Sequence, residues 1–268
     1  MTTIAAISVH PIPAFQDNYL WIMQKGSSAA VVDPGDATPV IEYLSANGLQ
    51  LSAIICTHHH ADHVGGVEHL LDFLHLRGKI PVFGPANERI PARTQALTEG
   101  DSIVVPELDL TFNVLDVPGH TAGHIAYFGH GMLFCGDTLF ACGCGRLLEG
   151  TAEQMTASLT KLKRLPPETK VYCAHEYTMA NIKFAEAVEP DNGDLKLRKA
   201  FCAAKRHRNL PTLPSTMHLE LATNPFLRWD QPAVQAAAAH RLKRDIGSNP
   251  APALVFGAIR EWKNNFQS

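Results

Sequence analysis

Apolar residues in the first two thirds of the chain fall in short runs separated by amphipathic stretches. Residues 3–9, 19–24 and 29–33 have the length and composition of strands, the last closing in the turn Asp33-Pro34-Gly35. Residues 38–46 read as a helix stopped by Asn47-Gly48. Residues 51–56 form the unbroken apolar run of a buried strand. Val67, Leu70, Leu71 and Leu74 recur at helical spacing, which predicts a helix over 67–76 ended by Gly78. Further strands are expected at 80–83, 110–117, 125–128, 132–135 and 171–173, and a helix at 152–164.

The last third changes character. Residues 177–188, 194–208, 231–246 and 253–266 all pattern as helices, with a Pro-rich stretch at 210–215 and no remaining strand pattern. A domain boundary is therefore expected near 175: a mixed α/β domain over 1–175 and a helical domain over 176–268. No internal repeat of fixed period and no low-complexity tract interrupts this plan.

Charge adds one feature. The formal net charge is −3, which argues against a dedicated nucleic-acid binder. Residues 1–175 carry a balance of −7 and residues 176–268 one of +4. The basic segment suits an anionic substrate, or is simply a basic helical surface; charge does not choose. Six cysteines are scattered, several inside apolar runs, as small buried hydrophobes. Cys142-Gly143-Cys144 is open to a metal, disulfide or packing role, with packing preferred because adjacent C-x-C is poor geometry for the others. Residues 1–15 lack the basic patch and long apolar stretch of a signal peptide, and no segment has the uncharged apolar length of a membrane span. A cytoplasmic protein without membrane or nucleic-acid partners is expected, and a monomer.

The chemistry concentrates in Thr57-His58-His59-His60-Ala61-Asp62-His63. Imidazole and carboxylate are ligands for Zn, Fe and Mn, and His58, His60, Asp62 and His63 supply four within six residues, directly after a buried strand. His120, Asp137 and His175 each follow the end of another predicted strand. Sites in sheets flanked by helices form outside such strand ends, so all seven are candidates for one shared centre. Seven ligands exceed one tetrahedral ion and suit two. No G-x-S-x-G nucleophile is present, which agrees with activated water. Asp33, ending a strand nearby, is expected either to orient a ligand histidine or to be a plain turn residue. His59 is expected to point away from the ligands, and His69, His75, His207, His218 and His240 to lie on the surface.

Thr-His-x-His-x-Asp-His, then Pro118-Gly119-His120, Gly136-Asp137-Thr138 and a final His175 resemble the metallo-β-lactamase superfamily. The runs Leu133-Phe134-Cys135-Gly136-Asp137-Thr138-Leu139-Phe140, Gly143-Cys144-Gly145-Arg146, Val171-Tyr172-Cys173-Ala174-His175-Glu176-Tyr177-Thr178 and Ala222-Thr223-Asn224-Pro225-Phe226-Leu227-Arg228, with Arg260-x-x-Lys263, are similar to its glyoxalase II (hydroxyacylglutathione hydrolase) family over nearly the whole chain. The resemblance implies an α+β fold, an αββα metallo-β-lactamase-like sandwich followed by a small all-helical domain. It implies two divalent ions, zinc before iron or manganese. One would be held by His58, His60 and His120 and the other by Asp62, His63 and His175, with Asp137 and a hydroxide bridging both. It implies a glutathione thioester substrate, S-D-lactoylglutathione, hydrolysed in the second step of methylglyoxal detoxification. Arg146, Tyr177, Arg260 and Lys263 would bind the peptide, and no catalytic residue is implied beyond the ligands and the hydroxide. The chain departs from the family at Leu148, where an aromatic is common. Other superfamily activities (lactonase, β-lactamase, mono-iron persulfide dioxygenase, phosphodiesterase) are the competing expectations, with a non-enzymatic metal-binding protein as a different class. The full ligand set weighs against the dioxygenase, and the absent export signal against the lactamase.

Overall fold

A computed structural model of the protein describes residues 6–266. It divides into two compact units: one runs to Asp116 and resumes over Gly123–Gly136, and the other holds Val117–Ala122 and the chain from Asp137 onward.

The first unit carries β1 (Ser8–Ala14), β2 (Asn18–Lys25), β3 (Ser28–Val32), α1 (Ala37–Ala46), β4 (Gln50–Ile55), α2 (Ala61–Val64), α3 (Val67–Phe73), β5 (Val82–Pro85), β6 (Gln95–Leu97), β7 (Ser102–Val105), β8 (Leu110–Asp116), β9 (Ile125–Gly129) and β10 (Met132–Gly136). Strands β1 to β6 form one sheet in chain order. It is antiparallel from β1 to β3 and parallel from β3 to β6. Strands β7 to β10 form an antiparallel meander. Side chains alternate across a strand, so Leu20 and Ile22 of β2 join Val31 and Ile54 under Val40 and Leu44 of α1 and Leu70 and Leu71 of α3. Trp21, Met23, Val32 and Ile55 point the other way and are as fully buried. From that side Tyr127 of β9 donates its hydroxyl to the Cys56 carbonyl, 2.9 Å away. Burial on both faces explains why these strands read as continuous apolar runs. Each such side chain contributes about 1.5–3 kcal/mol by leaving water.

The second unit contains β11 (Leu139–Phe140), β12 (Gly143–Cys144), α4 (Ala152–Lys163), β13 (Lys170–Cys173), α5 (Thr178–Val188), α6 (Gly193–His207), β14 (Ser215–Thr216), α7 (Met217–Thr223), α8 (Pro232–Leu242) and α9 (Pro252–Asn264). Helix α4 starts in a capping box, Thr151 accepting from the Gln154 backbone and Gln154 from that of Thr151. The core joining α5 to α9 is aromatic: Phe184, Phe226, Phe256 and Trp262 stack or meet edge to face at centroid distances of 5.3–5.9 Å.

Several elements depart from the sequence expectation. The expected strand over 3–9 starts outside the described residues, and β1 instead runs to Ala14 through Pro11 and Pro13, which an edge strand tolerates because its outer N–H groups need no partner. The short strands β6, β7, β11, β12 and β14 were not expected; two to four residues give too few positions for alternation to show. Strand β14 corrects the expectation of a strandless last third, since Ser215 and Thr216 pair with Val171 and Lys170. Helix α7 also went unexpected, at seven residues behind the N-cap Thr216. Helix α3 stops at Phe73 rather than 76, with His75 in the left-handed region, and α8 stops at Leu242 rather than 246, with Lys243 left-handed.

Candidate active site

Strand β4 ends at Ile55 and delivers the histidine cluster. Thr57, His58 and His63 are fully buried, and His60 and Asp62 are half-buried at the start of α2. Asp33, in the left-handed turn after β3, organises them. Its Oδ1 accepts the Thr57 N–H at 2.7 Å, and its Oδ2 accepts the Thr57 hydroxyl at 2.7 Å and His63 Nδ1–H at 3.1 Å. The Thr57 oxygen, having donated, accepts from His58 Nδ1 at 3.1 Å. These bonds place the ring protons on Nδ1 of His58 and His63 and turn both Nε2 lone pairs away from Asp33. His58 Nε2 then lies 3.1 Å from His60 Nδ1. Asn18 donates to Asp62 Oδ2 at 3.0 Å. The turn must approach α2 closely, and only glycine fits: a Cβ on Gly35 would sit 1.8 Å from the Asp62 carbonyl oxygen.

The second unit supplies the other candidates just past strand ends. His120 and His175 are buried, and Asp137 lies between them. His120 donates Nδ1–H to the Arg146 carbonyl at 3.0 Å, which makes Nε2 the ring atom that could bind a metal. His120 Nε2 faces Asp137 Oδ2 at 3.4 Å, and His175 Nε2 faces Asp137 Oδ1 at 3.4 Å. The Asp137 backbone is held against the loop at Gly145, where a Cβ would lie 2.0 Å from the Asp137 carbonyl oxygen.

These spacings test the fit to metal. A charge-assisted N–H···O bond closes to about 2.7–2.9 Å. Two ligand atoms each about 2.1 Å from a tetrahedral ion stand about 3.4 Å apart. The Asp137–His120 and Asp137–His175 pairs at 3.4 Å, and Asp62 Oδ2 with His63 Nε2 at 3.5 Å, have the ligand spacing. Asp137 also presents one oxygen to each of two imidazoles, the disposition of a carboxylate shared by two ions. The donor set fits divalent metal.

Beside His120 and Asp137 the second unit opens a cavity of about 500 Å³. It gathers Arg146, Tyr177, Arg260 and Lys263 from three separate stretches of chain. Tyr177 stacks on His175, rings 4.7 Å apart and 3° from parallel. Arg260 is buried, with Nη1 donating to the Cys144 carbonyl at 2.9 Å and Nε to Asn264 at 3.1 Å. Lys263, half-buried, donates to the Ala180 carbonyl at 3.1 Å and lies over the Phe184 ring. Burial first, and then the Arg260 charge, push its ammonium down to about 8. Leu148 lines the same cavity and is exposed.

The structure settles the smaller expectations. All six cysteines are free and buried. Burial pushes Cys142 up to about 12 and Cys144 up to about 11, so Cys142-Gly143-Cys144 is a packing element. His59 turns to Glu88, 2.9 Å away, and His69, His75, His207, His218 and His240 are exposed. Two buried residues escaped the sequence reading. Asn18 lies 44 residues from Asp62 and carries no motif. His124, fully buried, stacks on His58 with centroids 4.5 Å apart; the spacing His120-x-x-x-His124 was its one available signal. The Asp33 network has a measurable consequence. Asp33→Asn keeps the shape but weakens the acceptor that fixes His63, and metal affinity should fall about 10–100-fold in a chelator competition titration. Parent-like affinity would make Asp33 a turn residue only.

Residues 15–175 match the metallo-beta-lactamase superfamily, and residues 176–266 match the hydroxyacylglutathione hydrolase C-terminus. Among solved structures, ETHE1 from Myxococcus xanthus superposes with a TM-score of 0.62 at 23% identity, over 96% of this chain and 98% of that one. TTHA1623, solved in a di-iron-bound form, superposes with a TM-score of 0.58 at 26% identity, over 81% and 100%. Fold and site thus define a metallo-β-lactamase-fold protein with a helical C-terminal region. Hydroxyacylglutathione hydrolases of Nitrosomonas eutropha and Cupriavidus taiwanensis are 56% and 55% identical, each over 97% of this chain and 100% of their own length. The chain belongs to the hydroxyacylglutathione hydrolase family.

Proposed function

We propose that the chain hydrolyses glutathione thioesters, S-D-lactoylglutathione and water giving glutathione and D-lactate, as the second step of methylglyoxal detoxification. The observation that carries this reading is the single cavity in which His120 and Asp137 share a wall with Arg146, Tyr177, Arg260 and Lys263. Three cations around an aromatic side chain suit a dicarboxylate peptide, and they adjoin ligand-type side chains suited to metal-assisted hydrolysis. The relatives named for this hydrolase, matched end to end, support it.

In this reading His58, His60 and His120 would hold one divalent ion, Asp62, His63 and His175 would hold the second, and Asp137 would serve both. Zinc is the first choice, with iron or manganese accepted by the same donors. When bound, the pair supplies Lewis acidity and activated water at neutral pH. The protein does the rest. Asp33 and the Arg146 carbonyl keep the ring protons of His63 and His120 on Nδ1. Tyr177 braces His175 through its ring and lines the cavity. Arg146 and Lys263 hold the peptide carboxylates, and Arg260 both lines the cavity and ties down its wall. A leaving thiolate with a free pKa of about 8.5 needs no strong general acid. Residues 1–175 form the catalytic domain and 176–268 the substrate-binding domain. The six buried free thiols support a reducing, cytoplasmic setting. No helix among the described residues is long and apolar enough to cross a membrane.

The test is hydrolysis of S-D-lactoylglutathione followed by loss of thioester absorbance, beside a lactoyl thioester of N-acetylcysteamine that lacks the peptide. The glutathione substrate should be preferred by roughly two orders of magnitude in kcat/KM, about 2.7 kcal/mol of transition-state binding. Equal rates would return the choice to the other superfamily hydrolases.

A further inference from the structure

The cavity wall that carries Arg146 begins in the hairpin of β11 and β12, closed by only two residue pairs, Leu139–Cys144 and Phe140–Gly143. Two-residue strands do not hold a hairpin in shape by themselves. Side chains from three helices and the α7 cap hold this one. Asn224 Nδ2 donates to the Phe140 carbonyl at 3.1 Å and the Gly143 carbonyl at 2.9 Å, spanning the turn. Asn181 donates to the Ala141 carbonyl at 3.0 Å, and Arg260 to that of Cys144 at 2.9 Å. Glu220 Oε2 accepts the Cys142 N–H at 2.9 Å, where the chain takes a left-handed conformation.

Glu220 and Asn224 form one buried unit. Both are completely buried, and Asn224 Nδ2 also donates to Glu220 Oε2 at 3.1 Å. The other Glu220 oxygen accepts from Arg198, 2.5 Å away, and from Ser215. Arg198 in turn donates to Thr223 at 2.6 Å. A buried carboxylate is tolerated when paired and fully hydrogen-bonded, and here that satisfaction is complete only with the hairpin in this shape. None of these side chains except Asn181 and Arg260 lines the cavity.

We propose that Asn224, backed by Glu220, is a positioning residue for substrate binding: it sets the hairpin from which Gly145 and Arg146 reach the cavity. The proposal rests on the glutathione thioester reading for its kinetic arm only. Hydrogen exchange tests the positioning itself, without substrate.

In the parent protein the Cys142 amide should exchange as slowly as the core amides of α9; exchange at the rate of a surface turn would overturn the proposal whether or not any variant folds. In Asn224→Ala, amides of 140–146 should exchange at least 10-fold faster while α4 and α9 stay protected. KM for S-D-lactoylglutathione should rise about 5–20-fold, and metal affinity should weaken with it, because the Arg146 carbonyl carried by this loop accepts His120 Nδ1–H. Asn224→Ser, which keeps one hydroxyl donor, should recover part of the KM loss. A variant with unchanged exchange at 140–146, or with KM unchanged, would show that Asn224 does not act through the hairpin. Slow hydrolysis of the glutathione thioester by the parent would instead count against the proposed substrate and leave the exchange result standing.

Discussion

Asp137→Asn should lower kcat/KM for S-D-lactoylglutathione by roughly three orders of magnitude, about 4 kcal/mol in transition-state stabilisation. The reason is geometric. Asp137 presents Oδ2 to His120 and Oδ1 to His175, each at 3.4 Å, so one carboxylate serves two imidazole directions. An amide of the same shape carries no charge and offers one good donor oxygen rather than two. Two cations held by the proposed ligands would lose the anion they share, and their mutual repulsion would no longer be offset. Elemental analysis should find the metal content of the variant falling from two ions towards one. KM should move little, because the residues proposed to bind the peptide are Arg146, Tyr177, Arg260 and Lys263, which line the adjoining cavity. A variant that keeps two ions and most of its kcat would remove Asp137 from the centre.

What could be read from the sequence, and what could not, follows from how each signal is spread along the chain. His58, His60, Asp62 and His63 fall within six residues, so one strand end gathers them and their pattern stands out in the sequence. Asp33 was legible for a related reason: the Asp-Pro-Gly turn put it at a neighbouring strand end, and β3 and β4 are adjacent and parallel. The long helices and the buried strands β2, β3 and β4 showed because each fills at least one full period of its pattern. Strands β11, β12 and β14 are two residues long and owe their shape to side chains from elsewhere, so no local pattern encodes them. The same holds for Glu220 and Asn224. Each is an ordinary polar residue in sequence, and its meaning lies in carbonyls and amides more than 75 positions away. Asn224 belonged to a stretch that resembled the family, yet resemblance named the residue without saying what it holds. Arg260 gives the converse lesson. The resemblance placed it with Lys263 among the peptide-binding residues, but said nothing of its Nη1 being engaged by the backbone of Cys144.

Lys263→Ala should raise KM for the glutathione thioester by one to two orders of magnitude, since a hydrogen bond to a charged group is worth about 1.5–3 kcal/mol. kcat should change far less, because a contact made to the peptide is felt equally in ground and transition states. The pH dependence makes the assignment sharper. Burial and the Arg260 charge push the Lys263 ammonium down to about 8, while the Cys144 thiol beside it is pushed up to about 11 and stays neutral. In the free enzyme Lys263 is therefore charged below pH 8 and loses its proton as pH rises through 8, and with it the attraction for a carboxylate. kcat/KM of the parent should be level between pH 6.5 and 7.5 and fall above about 8. A bound carboxylate stabilises the ammonium, so kcat, which reports the complex, should stay level to higher pH. Lys263→Ala should lose the fall and keep a uniformly poor KM. Lys263→Arg, whose guanidinium stays charged throughout, should restore affinity in part and remain level above pH 8. The N-acetylcysteamine thioester, having no peptide carboxylates, should show none of these changes in any of the three proteins. An alkaline fall that survives in Lys263→Ala would place the titrating group elsewhere in the site.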